Sequence, residues 1–179
     1  TVRSLRIGYD GARFTFPVRN KDGICINIRK YGPTMRPKVI SYDDGFGGAA
    51  WFPHPPVEDD IFIMEGETDT ILARQMGLPA YTQTCGAGNW EDALTTALVG
   101  KTVRLVYDVD MAGRQGASKV VNNVKFTVKE VYNVLLPTAG KNKDFSDYML
   151  KDGGTMELFK EIVANTAPGT RIPVELIRD

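Results

Sequence analysis

Apolar and polar residues alternate in two short segments near the N-terminus, Arg13–Arg19 and Ile24–Arg29. Alternation with a period of two is typical of a β-strand that buries one of its faces. The residues between them, Asn20–Gly23, end in a glycine, which can adopt the positive φ angle of a short hairpin turn. The pattern predicts a hairpin. From Tyr31 to about Asp60 a connector follows, too rich in proline and glycine for regular structure throughout.

From Asp60 onward, short apolar runs alternate with segments of helical periodicity. The predicted strands are Ile61–Met64, Ala80–Thr84, Thr102–Tyr107 and Thr127–Leu135. The predicted helices are Thr68–Met76, Trp90–Val99, Ala112–Asn123, Phe145–Leu150 and Met156–Ala164, and a glycine-containing loop, Cys85–Gly88, precedes the second of them. Strands that alternate with helices at this spacing favour an α/β fold with a mostly parallel sheet flanked by helices.

The change of pattern also divides the chain. We expect a small, basic, β-rich subdomain over residues 1–57 and the α/β domain over residues 58–166. Residues 167–179 are expected to be a tail or a linker to a further domain. Because the chain begins at Thr1 rather than at a methionine, we expect it to be a fragment of a longer protein.

The two parts differ in charge, although the net charge of the chain is zero. Residues 1–56 contain nine Lys and Arg residues and four acidic residues. Since the whole chain has 22 of each kind, the remainder has five more acidic than basic residues. A basic part beside an acidic part suits a polyanion next to a site for cations, and chance clustering of solvated charge is the alternative.

The composition excludes two classes of protein. No apolar run approaches the ~18–20 residues that a membrane-spanning helix needs. Cys25 and Cys85 are too far apart in sequence for a zinc ribbon within this chain, and two cysteines do not form a disulfide framework. We therefore expect a protein without a membrane segment that works in the reducing cytoplasm.

Acidic residues cluster where three of the predicted strands end. The clusters are Glu65, Glu67 and Asp69, then Asp108 and Asp110, then Asp144 and Asp147. In open parallel sheets, ligands bind beyond the carboxyl ends of the strands. Carboxylates grouped there repel one another, and Mg²⁺ relieves this repulsion while it completes its shell with water and substrate phosphates. Gly66 would let a metal or substrate approach the backbone closely. Each cluster alone also fits a turn with a helix cap, but three at one sheet edge are more specific.

The segments Ile61–Asp69 and Leu105–Ala117 resemble the Toprim domain, which bacterial-type primases, type IA and type II topoisomerases and some nucleases share. In that family the glutamate after the first strand and the two aspartates after a later strand form the metal site. The resemblance therefore implies that Glu65, Asp108 and Asp110 are catalytic and bind Mg²⁺ or Mn²⁺.

Within the family, the primase branch fits best. Gly113 and Arg114 stand where primases have a glycine and a basic residue, and Lys143–Asp147 resembles a further acidic motif of primases. The segments Phe16–Gly23 and Asn27–Lys30 are similar to the basic subdomain that precedes their Toprim domain. The resemblance implies the RNA polymerase core of a DnaG-like primase that makes RNA primers from NTPs on single-stranded DNA. A phage or plasmid replication protein is one source that fits, and a chromosomal primase stays open as the other.

The same resemblance suggests roles for further residues. Asp144 is an additional metal ligand, and Asp69 and Asp147 support the ligands or bind another ion. The candidates for contacts with triphosphate or template are Arg19, Arg29, Lys30, Lys21 and Arg114, each of which is otherwise ordinary solvated charge. Primases also use a zinc-binding module and a helicase, which we expect in the same or a separate chain.

Three other functions stay open. A Toprim nuclease would use the same acids to cut nucleic acid, and a non-catalytic module would only bind single strands. A phosphatase of the haloacid dehalogenase class also has two aspartates after a strand, but that class usually has a hydroxyl residue where this chain has Ala112.

Overall fold

The structure, a computed structural model, describes residues 2–42, 49–84, 86, 88–138 and 141–169. Its N-terminal part is a four-stranded antiparallel sheet in the order β1-β2-β3-β4. The strands are β1 (Gly8–Tyr9), β2 (Phe14–Arg19), β3 (Cys25–Tyr31) and β4 (Val39–Ser41). The predicted hairpin is confirmed as β2 and β3, and Gly23 in its turn has a φ angle of 79°.

The second sheet has five strands in the order β5-β7-β6-β8-β9. They are β5 (Trp51–Phe52), β6 (Asp60–Met64), β7 (Ala80–Gln83), β8 (Thr102–Val106) and β9 (Glu130–Asn133). All neighbours are parallel except β5, which pairs with β7 in the antiparallel sense. The mostly parallel sheet is thus confirmed.

Helices cover both faces of this sheet. They are α1 (Glu67–Gln75), α2 (Asp92–Thr95), which continues as a 3₁₀ turn over Thr96–Leu98, α3 (Met111–Val124), α4 (Phe145–Leu150) and α5 (Met156–Asn165). Ile61 and Leu105 point to one face, where they pack with α2 and α3. Phe62 and Met64 point to the other, where they pack with α1, α4 and α5. Successive residues of a strand face opposite sides, so the apolar runs of β6 and β8 follow from burial on both faces.

In its described residues, the predicted connector is irregular apart from two short strands, β4, which pairs with the preceding β3, and β5, which pairs with the later β7. Two other local predictions were wrong in extent. The predicted helix Trp90–Val99 starts later, because Trp90 packs edge-on against Trp51 and its indole donates a hydrogen bond to Thr95. The strand predicted over Thr127–Leu135 is limited to β9.

The two sheets are packed together. Phe16 and Val18 of β2 contact Phe52 of β5, with Ile71 of α1 at the edge of this cluster. β5 lies before the predicted boundary at residues 57 and 58, but it pairs with β7. It therefore belongs to the second sheet. The boundary itself stays a prediction.

Some predicted features lie outside the described residues. These are residues 43–48 of the connector, Cys85 and residue 87 of the loop Cys85–Gly88, residues 139–140, and the tail from residue 170. Among the helices that the structure describes, none is both long and apolar enough to cross a membrane.

Candidate active site

The acidic residues Glu65 and Asp108 meet at the carboxyl edge of the parallel sheet. Their strands, β6 and β8, are neighbours in parallel register, with Met64 opposite Val106. The residues that follow the two strands therefore emerge side by side. A carboxylate oxygen of Glu65 accepts a hydrogen bond from the backbone N–H of Asp108 at 3.0 Å. This bond fixes Glu65 against the start of the loop that carries both aspartates.

Asp108 and Asp110 share one cation, the ammonium group of Lys143. Its Nζ lies 2.7 Å from Oδ2 of Asp108 and 2.7 Å from Oδ2 of Asp110. The backbone carbonyl of Lys143 also accepts a hydrogen bond from Val109, at 2.9 Å. The segment before α4 is therefore held against the loop between β8 and α3.

The first turn of α3 packs directly on Asp108. Asp110 caps this helix, because its Oδ1 accepts a hydrogen bond from the N–H of Gly113 at 2.9 Å. A Cβ atom at Gly113 would lie 2.2 Å from the carbonyl oxygen of Asp108. The glycine that the primase resemblance includes is thus required by the close approach of helix and loop.

The remaining acids lie around the start of α4. Asp69 is buried on α1, and its Oδ1 accepts hydrogen bonds from the backbone N–H of Ser146, at 3.0 Å, and from its hydroxyl. Asp144 caps α4 through the N–H of Asp147 at 2.6 Å. Asp147 accepts from the N–H of Lys143 at 3.1 Å and forms an ion pair with Lys151. In this structure Asp69 and Asp147 thus have structural partners of their own.

Burial and mutual repulsion shift the pKa values of these groups. Burial raises the pKa of Asp69 to about 7, and neighbouring acids add to this effect against the hydrogen bonds of Ser146. Burial also raises the pKa of Glu65, as does the charge of Asp108. The pKa of Asp108 is raised by its burial in spite of Lys143, whereas the hydrogen bond from Lys143 lowers the pKa of the more exposed Asp110. Negative charge is thus unfavourable at this edge unless a cation accompanies it.

The donor set fits a hard divalent cation. In the ranges the structure covers, no three acidic, histidine or cysteine side chains are arranged to hold a metal ion. However, Glu65, Asp108 and Asp110 offer the carboxylate oxygens that Mg²⁺ and Mn²⁺ prefer. Lys143 demonstrates that the two aspartates can share one positive charge. The donor chemistry of these three acids, and of Asp144 whose charge acts on Asp108, suits such an ion.

Arg29 reaches the acidic edge from the antiparallel sheet. Its Nε lies 3.0 Å from a carboxylate oxygen of Glu67 in the first turn of α1. Arg29, Glu65, Glu67, Gln83 and Asn89 line a cleft of about 540 Å³ between the two sheets. A cationic side chain therefore lies in the same cleft as Glu65.

The other basic candidates lie elsewhere. Lys30 points to the opposite face of β3, where its Nζ is 2.7 Å from a carboxylate oxygen of Asp10. Arg19 donates a hydrogen bond to the carbonyl of Gly23 at 3.0 Å, and with Lys21 it lines a separate cavity. Arg114 is on the first turn of α3, where its N–H bonds to the carbonyl of Asp110.

No described neighbour of Gly66 would exclude a larger side chain at this position. Its φ angle is −135°, which any residue adopts, and a Cβ atom added there would meet no described atom within 4 Å. Its carbonyl accepts the hydrogen bonds of Thr70. The open space beside it is consistent with the predicted approach of a metal or substrate.

Sequence reasoning missed two contacts of the site. It placed Lys143 only as the residue before an acidic motif, although its ammonium bridges Asp108 and Asp110. The signal was present, since a lysine beside acids at one sheet edge is a natural counter-ion. The ion pair of Arg29 with Glu67 joins residues 38 positions apart and has no local signal.

Comparison with known proteins agrees with this architecture. Residues 62–149 match the model of the Toprim-like family. No curated protein sequence matches the chain. Among solved structures, a DnaG primase catalytic domain bound to single-stranded DNA is similar, with a TM-score of 0.66 and 16% identity over 93% of this chain and 60% of that one.

Two further structures are similar to the same degree. The zinc-binding and RNA polymerase domains of the Aquifex aeolicus primase have a TM-score of 0.66 and 18% identity, over 89% of this chain and 43% of that one. The primase fragment of the bacteriophage T7 primase-helicase has a TM-score of 0.66 and 17% identity, over 90% and 69%.

Residues 62–149 therefore resemble a Toprim-like domain. The fold of the chain as a whole is that of DnaG-type primase catalytic cores. The chain spans about three-fifths of the length of the first primase chain compared. The predicted resemblance to the Toprim domain and the predicted fold are confirmed, and the activity is a separate question.

Proposed function

We propose that this chain is the catalytic core of a DNA primase, which makes short RNA primers on a single-stranded DNA template by metal-dependent nucleotidyl transfer. The observation that carries the proposal is the link between Glu65 and Asp108 at the ends of adjacent parallel strands. Asp110 joins them through the cation that it shares with Asp108. The fold similarity to a primase domain bound to single-stranded DNA supports the choice of substrate.

In the proposed reaction, the 3′-hydroxyl of the growing primer attacks the α-phosphate of an incoming NTP, and pyrophosphate leaves. Mg²⁺ or Mn²⁺, held by Glu65, Asp108, Asp110 and Asp144, would lower the pKa of that hydroxyl and neutralise the leaving group. The protein's own task is positioning. Glu65 is oriented by the N–H of Asp108, and Asp110 by the N–H of Gly113.

The acidic and basic residues around the proposed metal ligands have different proposed roles. Asp69 and Asp147 orient the start of α4 through Ser146 and Lys143, or they bind an additional ion. Arg29 is the best-placed candidate for a phosphate group, because it shares the cleft with Glu65. Contacts of Arg19, Lys21 and Arg114 with template or triphosphate remain part of the proposal, whereas we do not propose one for Lys30, which pairs with Asp10 on the other face of β3.

The proposal extends to partners and location. The Aquifex aeolicus structure contains a zinc-binding domain beside its RNA polymerase domain, and the T7 fragment comes from a primase-helicase. By analogy, we propose that a zinc-binding module and a helicase act with this chain, in the cytoplasm.

The test is a primer-synthesis assay. The purified chain is incubated with single-stranded DNA, four labelled NTPs and Mg²⁺ or Mn²⁺, and the products are separated on a sequencing gel. We expect a ladder of short RNA that Asp108→Asn abolishes. Asp59→Asn is the matched control, because Asp59 is an exposed acid before β6, at the opposite edge of the sheet.

Other products would change the assignment. Shortened DNA without RNA would indicate a Toprim nuclease. Binding of single strands that survives both Glu65→Gln and Asp108→Asn, with no product in any condition, would indicate a non-catalytic module.

A further inference from the structure

Lys143 occupies the position at which one positive charge serves both aspartates. Its Nζ contacts Oδ2 of Asp108 and Oδ2 of Asp110 at the same distance, 2.7 Å. The backbone of Lys143 is anchored on both sides, since its N–H donates to Asp147 and its carbonyl accepts from Val109. The side chain itself is 47% exposed. The ammonium group can therefore leave the aspartates while the backbone remains in place.

We propose that Lys143 is a built-in counter-ion that competes with the divalent cation for Asp108 and Asp110 and so sets the metal affinity of the site. This inference rests on the proposed function, because it concerns the same carboxylates. It assigns Lys143 a positioning role, which neither the Toprim-like match nor the fold comparison provides.

The charges explain why the two cations compete. Two carboxylates at one edge repel each other, and an ammonium group 2.7 Å from both relieves that repulsion. A metal ion that binds the same Oδ2 atoms must first displace Nζ and break both charge-assisted hydrogen bonds. It therefore gains less free energy than it would at two unpaired aspartates. Removal of the ammonium group should strengthen metal binding, the reverse of the usual effect of changing a residue that supports a site.

The test is a titration of the full chain with Mn²⁺ alone, without nucleotide or DNA. The dissociation constant of Mn²⁺ is measured by calorimetry and by the electron paramagnetic resonance signal of the free ion. We expect Lys143→Met to bind Mn²⁺ about tenfold more tightly than the wild type. Lys143→Arg keeps the positive charge and should stay within about threefold of the wild type.

Lys151→Met is the matched control. Lys151 is a more exposed lysine at the same edge, and it forms an ion pair with Asp147 rather than with Asp108 or Asp110. The substitution removes the same charge from the same helix region. A gain in affinity equal to that of Lys143→Met would overturn the specific competition, because general electrostatics would then explain both.

The outcomes separate this inference from the proposed function. Unchanged or weaker Mn²⁺ binding by Lys143→Met and by Lys143→Gln, both folded by thermal melting, overturns the role of Lys143 whatever the primer assay gives. A tenfold gain in Mn²⁺ affinity in Lys143→Met, together with no RNA product from the wild type in the primer-synthesis assay, upholds the role of Lys143 and overturns the primase assignment. A gain that persists when both Asp108→Asn and Asp110→Asn are added to Lys143→Met contradicts the inference, because the affected ion would be at neither of the carboxylates that Lys143 contacts.

Discussion

The acidic edge of the parallel sheet and the basic residues of the antiparallel sheet differ in how the fold arranges their charges. At the acidic edge, Glu65, Asp108 and Asp110 come from two adjacent strand ends and are joined by direct contacts. In the antiparallel sheet, neighbouring basic residues separate, so that Arg29 faces the cleft and Lys30 pairs with Asp10 on the other face. Charges distant in sequence converge in the first case, and charges adjacent in sequence diverge in the second.

The difference follows from strand geometry. All parallel strands of one sheet end at the same edge, so residues just after them converge whatever their distance in sequence. Along any strand, successive side chains alternate between faces, so adjacent charges diverge. A local excess of basic residues therefore predicts the total charge of a subdomain but not a single binding surface.

Gly113→Ala should have the largest effect, because it damages the acidic edge directly. The added Cβ would lie 2.2 Å from the carbonyl oxygen and 2.8 Å from the Cβ of Asp108, so loop or helix must move. We expect a loss of up to about 3 kcal/mol in the free energy of unfolding. Primer synthesis should fall by about a hundredfold or more, since small displacements of catalytic groups are that costly. Chemical denaturation and the gel assay measure the two effects.

Gly66→Ala is the control for that change. It alters a second glycine at the same edge, where a Cβ meets no described atom within 4 Å. Its stability should stay within about 0.5 kcal/mol of the wild type, as for surface substitutions. Equal destabilisation by both variants would contradict the claim that the close approach of α3 to Asp108 requires a glycine at position 113.

Asp69→Asn should change the pH dependence of stability. The pKa of Asp69 is raised from 3.8 to about 7 in the folded protein, mainly by burial. Between those values the folded state holds a proton that the unfolded state has lost, so stability falls as pH rises. From pH 5 to pH 8 the wild type should lose roughly 2–3 kcal/mol through this group. Urea denaturation in EDTA at several pH values measures the loss.

The asparagine variant should lack that part of the slope, because its side chain does not titrate. Asp147→Asn is a suitable comparison: the pKa of Asp147 is lowered, mainly by Lys151, so this acid contributes stability above its ordinary pKa rather than below it. A wild-type slope that Asp69→Asn leaves intact would mean that Asp69 is ionised in the folded protein at pH 5.

The sequence was most informative about the features that the sheet itself determines. The apolar runs of β6 and β8 predicted buried parallel strands, and the acids after them were expected at one edge, where the structure has them. The hairpin was equally clear, because its alternation and Gly23 are local signals. In each case a pattern within a few residues was sufficient.

Contacts between distant segments were not accessible in this way. The pairing of β5 with β7 depends on a strand of only two residues, Trp51 and Phe52, inside a segment rich in proline and glycine. The bridge from Lys143 to Asp108 and Asp110 depends on where the segment before α4 returns to the sheet. Such contacts are decided by tertiary packing rather than by local preference.

Arg29→Ala tests whether the basic sheet contributes to the site through a single residue. Because Arg29 shares the cleft with Glu65, we expect its removal to weaken binding of a single-stranded oligonucleotide about tenfold at low salt. The salt dependence of the binding constant should also become shallower, by about 0.7 in the logarithmic slope for one lost phosphate contact. Fluorescence anisotropy at several salt concentrations measures both quantities.

Substitution of Lys30, the residue next to Arg29, should have the smallest effect on oligonucleotide binding and is the closest comparison for Arg29→Ala. Lys30→Ala removes the same charge from the next position of β3, but on the face where Lys30 pairs with Asp10. Binding should change by less than about twofold, because Lys30 does not line the cleft and its charge is already paired with Asp10. The double variant Arg29→Ala with Glu67→Gln separates two explanations for Arg29. If Arg29 only neutralises Glu67, binding recovers in the double variant. If Arg29 contacts phosphate, binding stays weak, and the cleft rather than the net charge of the sheet determines affinity.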